Sequence, residues 1–234
     1  MGESVGKVIG ISRFPVKSLA GEPLARADLD WQGIEGDRQY AFYFADDGTR
    51  FPWVTGRALS HLVTMKARFR DPDRPKTAPV EVTPPGGETV ALDDPALVQR
   101  LAEQAGRPIG LLQLGRGAFD AMPVSVVTTA SLAEIDRAHG VPLDRRRFRI
   151  NVIVESEERE SAWQGRRLSF GGGAALQVAA PIERCVMVTI DPDSGQRDPR
   201  VMRTVAQHFG NCVGVYAATA APGAIGLGDD VTLC

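Results

Sequence analysis

The residues best suited to chemistry lie between Ala180 and Gly195, where Arg184-Cys185 precedes Val186-Met187-Val188-Thr189-Ile190 and the turn Asp191-Pro192-Asp193-Ser194-Gly195. Val186, Val188 and Ile190 alternate with Met187 and Thr189, a pattern that predicts a half-buried strand, and Pro181 predicts a stop before it. Cys185 is therefore expected at a strand's mouth, where the fixed charge of Arg184 favours thiolate over thiol. A thiolate is both a nucleophile and a soft metal ligand. A lone cysteine is equally a small hydrophobe suited to a core, so the residue types alone leave both roles open.

Cations recur where predicted strands begin or end. Lys17 and Ser18 follow Pro15, which limits strand pairing and exposes a bend. Arg38 ends the turn Gly33-Ile34-Glu35-Gly36-Asp37, just before the predicted strand Tyr40 to Phe44, and Arg57 stands in Thr55-Gly56-Arg57. Each suits an anion site or a solvated surface. Hydroxyls crowd a predicted helix start at Thr128-Thr129-Ala130-Ser131, where Ser131 and Glu134 have capping-box spacing. Such an end caps itself or binds a phosphate through its free N–H groups. Asp144 to Asn151 holds four arginines that lead into an apolar strand, Ile150 to Val154. Read as extended chain, Arg147, Arg149 and Asn151 share one face, a surface for an anion or a heterocycle with several acceptors.

The elements that must position these residues are mostly short β-type runs separated by Gly, Pro and Asp, including Gly6 to Ile11, Leu62 to Arg70, Val80 to Thr83, Ile109 to Leu114, Val124 to Val127 and Val213 to Ala218. Two helices carry strong signals: Asp94-Pro95 opens one that Gly106 ends, and Asp198-Pro199 opens one that Gly210 ends. The pattern predicts a mainly β, α+β chain, with an N-terminal β-barrel module at 1–115 and a second β-barrel domain at 116–234, divided at a Gly-rich connector.

With 27 basic and 29 acidic residues and a net charge of −2, the chain has no long run of either sign, which argues against extended nucleic-acid binding and for a small-molecule substrate. Its three cysteines are too few for a disulfide framework, so free thiols in a reducing compartment are expected, with Cys212 and Cys234 packed beside apolar strand residues. No stretch approaches the roughly 20 apolar residues that span a bilayer, so a cytoplasmic protein without membrane contact is expected. His61, His139 and His208 lack metal-ligand spacing, and there is no Cys-x-x-Cys, Walker loop or dinucleotide fingerprint.

Several ordered stretches together resemble a known family. Phe14-Pro15-Val16-Lys17-Ser18 with Gly36-Asp37-Arg38 resembles the N-terminal β-barrel module that accompanies MOSC domains. Thr128-Thr129-Ala130-Ser131-Leu132, Arg147 to Asn151, Trp163-Gln164-Gly165 and Arg184-Cys185 with Asp191 to Gly195 resemble the MOSC domain, as in the mitochondrial amidoxime reducing component and its bacterial counterparts. Gly56 stands where that family commonly has alanine, and Ile150 where it often has Pro or Gly. The resemblance implies a molybdenum cofactor, a molybdopterin, and not pyridoxal phosphate, with Cys185 ligating the metal. It also implies that Lys17, Ser18, Arg38, Thr128, Thr129, Ser131, Arg149 and Asn151 hold the pterin and its phosphate, that Arg57 and Arg147 are further candidates, and that Asp37 orients its neighbours. The implied activity is reduction of N-hydroxylated or N-oxide compounds, with electrons from a ferredoxin-, flavodoxin- or cytochrome b5/reductase-type protein. A carrier of cofactor or of persulfide sulfur on Cys185, and a β-barrel interaction protein without cofactor, are the competing expectations.

Overall fold

The computed structural model describes residues 2–234. In the first half, β1 (Glu3–Arg13), β2 (Glu22–Pro23), β3 (Arg26–Asp30), β4 (Gly33–Ile34) and β5 (Tyr40–Phe44) lead through a 3₁₀ turn to β6 (Lys66–Phe69), β7 (Val80–Thr83), β8 (Val90–Ala91), α1 (Pro95–Ala105) and β9 (Ile109–Gln113). The second half runs β10 (Val124–Thr128), α2 (Thr129–His139), β11 (Val152–Glu155), β12 (Arg167–Phe170), β13 (Ala175–Glu183), α3 (Pro199–Phe209), β14 (Cys212–Ala221), β15 (Gly223–Gly226) and β16 (Asp230–Leu233). The fold is α+β and mainly β.

Seven strands close into a barrel in the order β11-β10-β14-β13-β12-β16-β1, and pairing of β1 with β11 shuts it. The closing strand comes from the opposite end of the chain, so the barrel runs across the division expected at 115/116. Its interior is filled by Val8, Val126, Val152, Trp163, Leu176 and Val215, all essentially without exposure. Burying each aliphatic side chain of that size contributes about 1.5–3 kcal/mol. The first half adds the sheets β6-β7-β8 and β5-β9 around a second core of Val16, Leu19, Phe42, Leu62 and Leu97.

Local chemistry explains the elements that were legible. Asp94 and Asp198 accept hydrogen bonds from Ala96 and Arg200 N–H at the starts of α1 and α3, and Gly106 and Gly210 end them in the left-handed conformation. β10 is buried at every position because helices cover one face and the barrel core the other, hence its unbroken Val-Ser-Val-Val run.

Four local readings are corrected. Val186–Thr189 is a 3₁₀ turn, not a strand, since Thr189 Oγ donates back to the Val186 carbonyl at 2.7 Å. Pro181 does not stop the strand before it, because β13 continues past it to Glu183 with irregular register against β14. The region Leu62 to Arg70 begins as the 3₁₀ turn Ser60–Thr64, and only Lys66–Phe69 is strand. Arg145–Phe148 is likewise a 3₁₀ turn, and Arg149 takes a left-handed backbone, φ 51°, so strand alternation is not what aligns Arg147, Arg149 and Asn151.

Candidate functional site

Cys185 follows the last residues of β13 and caps the 3₁₀ turn behind it, half-buried and free. Val188, two residues into that turn, is fixed among Val201 and Val205 of α3 and Ile182 of β13, which anchors the backbone carrying the thiol. In front of Cys185 opens a cleft whose cationic lining is drawn from distant parts of the chain: Lys17, Arg38 and Arg57 from the first half, Arg147, Arg149 and Arg184 from the second. Ser18 and Asn151 also line it.

The backbone is strained where it reaches this cleft. Among the described residues, Ser18, Arg38, Arg149 and Asn211 are the non-glycine positions with left-handed φ, and the first three line the cleft. Such conformations cost on the order of 1–3 kcal/mol each, and they concentrate at sites that need a side chain held in place.

Hydrogen bonds fix each group. Lys17 Nζ donates to the Ala118 carbonyl at 2.7 Å and to Asp120 Oδ1 at 2.5 Å. Burial pushes Lys17 below its ordinary value even against the pull of Asp120. Asp120 is itself pushed up by desolvation, but the charges of Lys17, Arg38 and Arg57 outweigh this and hold it below the usual carboxylate range. Arg38 donates to Asp37, to Asn151 Oδ1 at 3.4 Å and to the Arg149 carbonyl at 3.1 Å. Asp37 thus orients Arg38, and its other oxygen accepts from Phe14 N–H at 2.7 Å. Asn151 is a joint: Oδ1 accepts from Ser125 Oγ at 2.8 Å, and Nδ2 donates to the Ser12 carbonyl at 3.1 Å. The nearby Cys185 sulfur raises Arg57 above its ordinary value.

Arg184 turns inward and does not stand in solvent next to the thiol. Its Nε and one Nη donate to the carbonyls of Val213 and Phe148, each at 2.8 Å, and burial lowers it to about 10. Arg149 donates to the Leu19 carbonyl at 2.7 Å, and burial, with Arg38 nearby, lowers it to about 9. Arg147 is fixed by the Thr189 carbonyl at 3.0 Å and Asp191 Oδ2 at 2.7 Å. One nitrogen on each of Arg147, Arg149 and Arg184 remains buried without a partner. The orphaned donors of Arg149 and Arg184 fit a ligand rich in acceptors in this cleft, because each unmet buried donor costs about 1–3 kcal/mol.

Thr128, Thr129 and Ser131 do not join this site. Thr128 caps α2 and donates to Glu160 Oε2 at 2.9 Å, while Thr129 donates to the Ser156 carbonyl at 3.0 Å. Ser131 is sealed inside. The buried Glu160 carboxylate also accepts from Thr128 N–H at 3.0 Å, so the protein supplies its own anion to that helix end. Ser131 is therefore not the cap, and no phosphate site forms there. Cys234 is exposed and Cys212 half-buried, so neither is a sealed core thiol.

Sequence reasoning missed Asp120, Ser125 and Phe51, all of which line the cleft. Ser125 carried a signal: it is the one hydroxyl inside Val124-Ser125-Val126-Val127. Asp120 and Phe51 lie in irregular segments whose neighbours only the fold reveals.

Residues 5–107 match the MOSC N-terminal beta barrel domain and residues 114–232 the MOSC domain, so the chain belongs to the MOSC family. Over short stretches it is similar to proteins named molybdenum cofactor sulfurase: 38% identical over 65 residues in Culex quinquefasciatus (molybdenum cofactor sulfurase 2), 37% over 78 in Anopheles gambiae and 33% over 91 in Bombyx mori. These stretches cover 27%, 32% and 37% of this chain and 8%, 10% and 10% of those proteins. The chain thus matches about a tenth of the length of these curated relatives. The crystal structure of the YUAD protein from Bacillus subtilis shares the fold, with a TM-score of 0.56 at 18% identity over 100% of this chain and 98% of that one. No helix among the described residues is long and apolar enough to cross a membrane.

Proposed function

We propose that the Cys185 cleft holds a molybdenum cofactor, with the Cys185 sulfur as the protein's ligand to the metal, and that the chain is an oxidoreductase for N-hydroxylated or N-oxide compounds. One observation carries this reading: a half-buried thiol faces a cleft ringed by cations, in which guanidinium donors of Arg149 and Arg184 lack partners. Soft metals take thiolates, and a single protein sulfur suffices where a dithiolene supplies the rest. Lys17, Arg38 and Arg149 suit a terminal phosphate, Ser18 adds a hydroxyl beside them, and Asn151 acts by holding Arg38 in place. When bound, the cofactor supplies a metal that changes oxidation state, which the side chains here cannot do. The protein's part is to bind, neutralise and orient, with Phe51 and Val186 leaving apolar surface exposed beside Cys185 for a substrate. Electrons come from a separate ferredoxin-, flavodoxin- or cytochrome b5/reductase-type protein.

Metal analysis of protein from cells that make the cofactor tests this reading, with the Cys185→Ala variant alongside. Stoichiometric molybdenum and loss of N-oxide reduction in the variant are expected; reductase activity that survives the substitution overturns the assignment. The similarity to proteins named sulfurases favours a second reading, in which Cys185 carries sulfur as a persulfide. Mass spectrometry showing an added sulfur on Cys185, with no turnover under a supplied reductant, would select it.

A further inference from the structure

A second cleft shares Arg147, Arg149 and Met187 with the first, but contains neither Cys185, Lys17 nor Arg38. Its volume is about 510 Å³, within the range of small-molecule sites. It opens between the two halves of the chain: Phe14, Val63 and Ala67 line it from the first, Ile150, Ile153 and Ile190 from the second. An apolar body fits these walls.

The charges around it are lopsided. Lys66, Arg68, Arg145 and Arg146 also line the cleft, against Glu22 as its one acidic side chain. Glu22 is already paired with Arg13 at 2.8 Å. Arg146 is neutralised by Asp144 and Asp193, and Arg68 reaches Glu81. Lys66 and Arg145 have no carboxylate within 4.0 Å among the described residues. In the wall, the Arg147 side chain is only 10% exposed, yet its Nε has no acceptor. Arg149 stacks on Phe14 at 4.4 Å, also without a carboxylate partner. Excess positive charge, a buried donor left open and apolar walls all call for the same kind of occupant.

We infer that this cleft is a second binding site, for a small organic monoanion with an apolar body, such as a medium-chain or aryl carboxylate or sulfonate. The apolar part packs on Phe14, Ala67, Ile150 and Ile190, and the anion is met by Lys66, Arg145 and the open Arg147 N–H. The site stands whether or not the Cys185 cleft holds a molybdenum cofactor.

Titration of the full chain with 1-anilinonaphthalene-8-sulfonate, followed by displacement with octanoate and with octanol, tests it. Saturable fluorescence enhancement is expected, with octanoate displacing the dye and octanol failing to. The double variant Lys66→Glu/Arg145→Glu, which alters surface charge without touching a core, should weaken octanoate by about tenfold or more. Ile153→Trp, at a half-buried position of the wall, should abolish binding by filling the cleft, with its near-ultraviolet circular dichroism confirming that it is folded. Cys185→Ala should bind as the parent does. Unsaturable dye binding, octanol competing as well as octanoate, or an unchanged affinity in the charge-reversed variant overturns the proposal. Loss of dye binding in cofactor-loaded protein also overturns it, because the cleft would then belong to the first site.

Discussion

At the scale of single residues, the cleft is built against its own stability. Arg149 is half-buried without a carboxylate, on a left-handed backbone, and desolvation lowers it to about 9 from the ordinary arginine value. A group whose folded value is depressed in this way penalises the fold while it is charged. Above about pH 9, up to the ordinary arginine value, the unfolded chain binds more protons than the folded one, so this residue's contribution to stability rises with pH there. Arg149→Met is therefore expected to raise the urea midpoint of ligand-free protein at pH 7 and to flatten its alkaline rise. A loss above about 1 kcal/mol would mean instead that the hydrogen bond to the Leu19 carbonyl outweighs the burial cost. Asp120 has the opposite sign: its folded value lies below 3.8, so its stabilisation is full above that pH and is lost as the pH falls through the folded value. Asp120→Asn should weaken the fold at pH 7 and reduce the acid slope of thermal unfolding; identical slopes in parent and variant would refute the link.

At the scale of elements, β14 and α3 hold the cleft's cationic floor and its thiol. Gly214 in β14 has φ 81°, donates its N–H to Glu160 Oε1 at 2.8 Å, and leaves only tight room for a Cβ. A Cβ there would lie 3.0 Å from the Val126 carbonyl and 3.2 Å from the Arg184 guanidinium. Gly214→Ala should thus destabilise the barrel and displace Arg184, seen as a shifted urea midpoint together with weaker binding of an anion in the Cys185 cleft. α3 depends on its cap: Asp198→Ala should cost about 1 kcal/mol by urea denaturation. The Arg200 side chain and N–H hold Asp198 at about 2, so this stabilisation, complete above 3.8, should fade only as the pH falls towards that lower value. These caps were legible because Asp-Pro at a helix start and glycine at its end act through local backbone geometry. The turn after Cys185 was not, because Val186, Val188 and Ile190 alternate as a strand would, and only α3 packing on Val188 reveals otherwise. Likewise, the hydroxyls at Thr128 and Thr129 read as a phosphate site until Glu160, far downstream, is seen to occupy that helix end.

At the scale of the whole molecule, the convergence of Lys17, Arg38 and Arg149 depends on a strand exchange that local patterns could not reveal. β1 pairs with β11 through Lys7–Glu155 and Ile11–Val152, and with β16 through Glu3–Leu233 and Lys7–Asp230. It leads into the Phe14 to Ser18 bend, so the strand that closes the barrel also delivers Lys17 to the cleft. The β-type run Gly6 to Ile11 announced a strand, but pairing across more than two hundred residues is a property of the closed fold. The family boundaries, 5–107 and 114–232, follow sequence; the barrel does not. Without β1, the edges of β11 and β16 would be unpaired, and the barrel interior would lose Val8 and Ile11 from its seal. A fragment of residues 114–234 produced alone is therefore expected to lack a cooperative unfolding transition and to aggregate. Co-production with residues 2–113 should restore one transition with native near-ultraviolet circular dichroism. A fragment that folds alone and unfolds cooperatively at the parent's urea midpoint would show that β1 serves only to carry Lys17 into the cleft, and that the barrel's stability resides in the second half by itself.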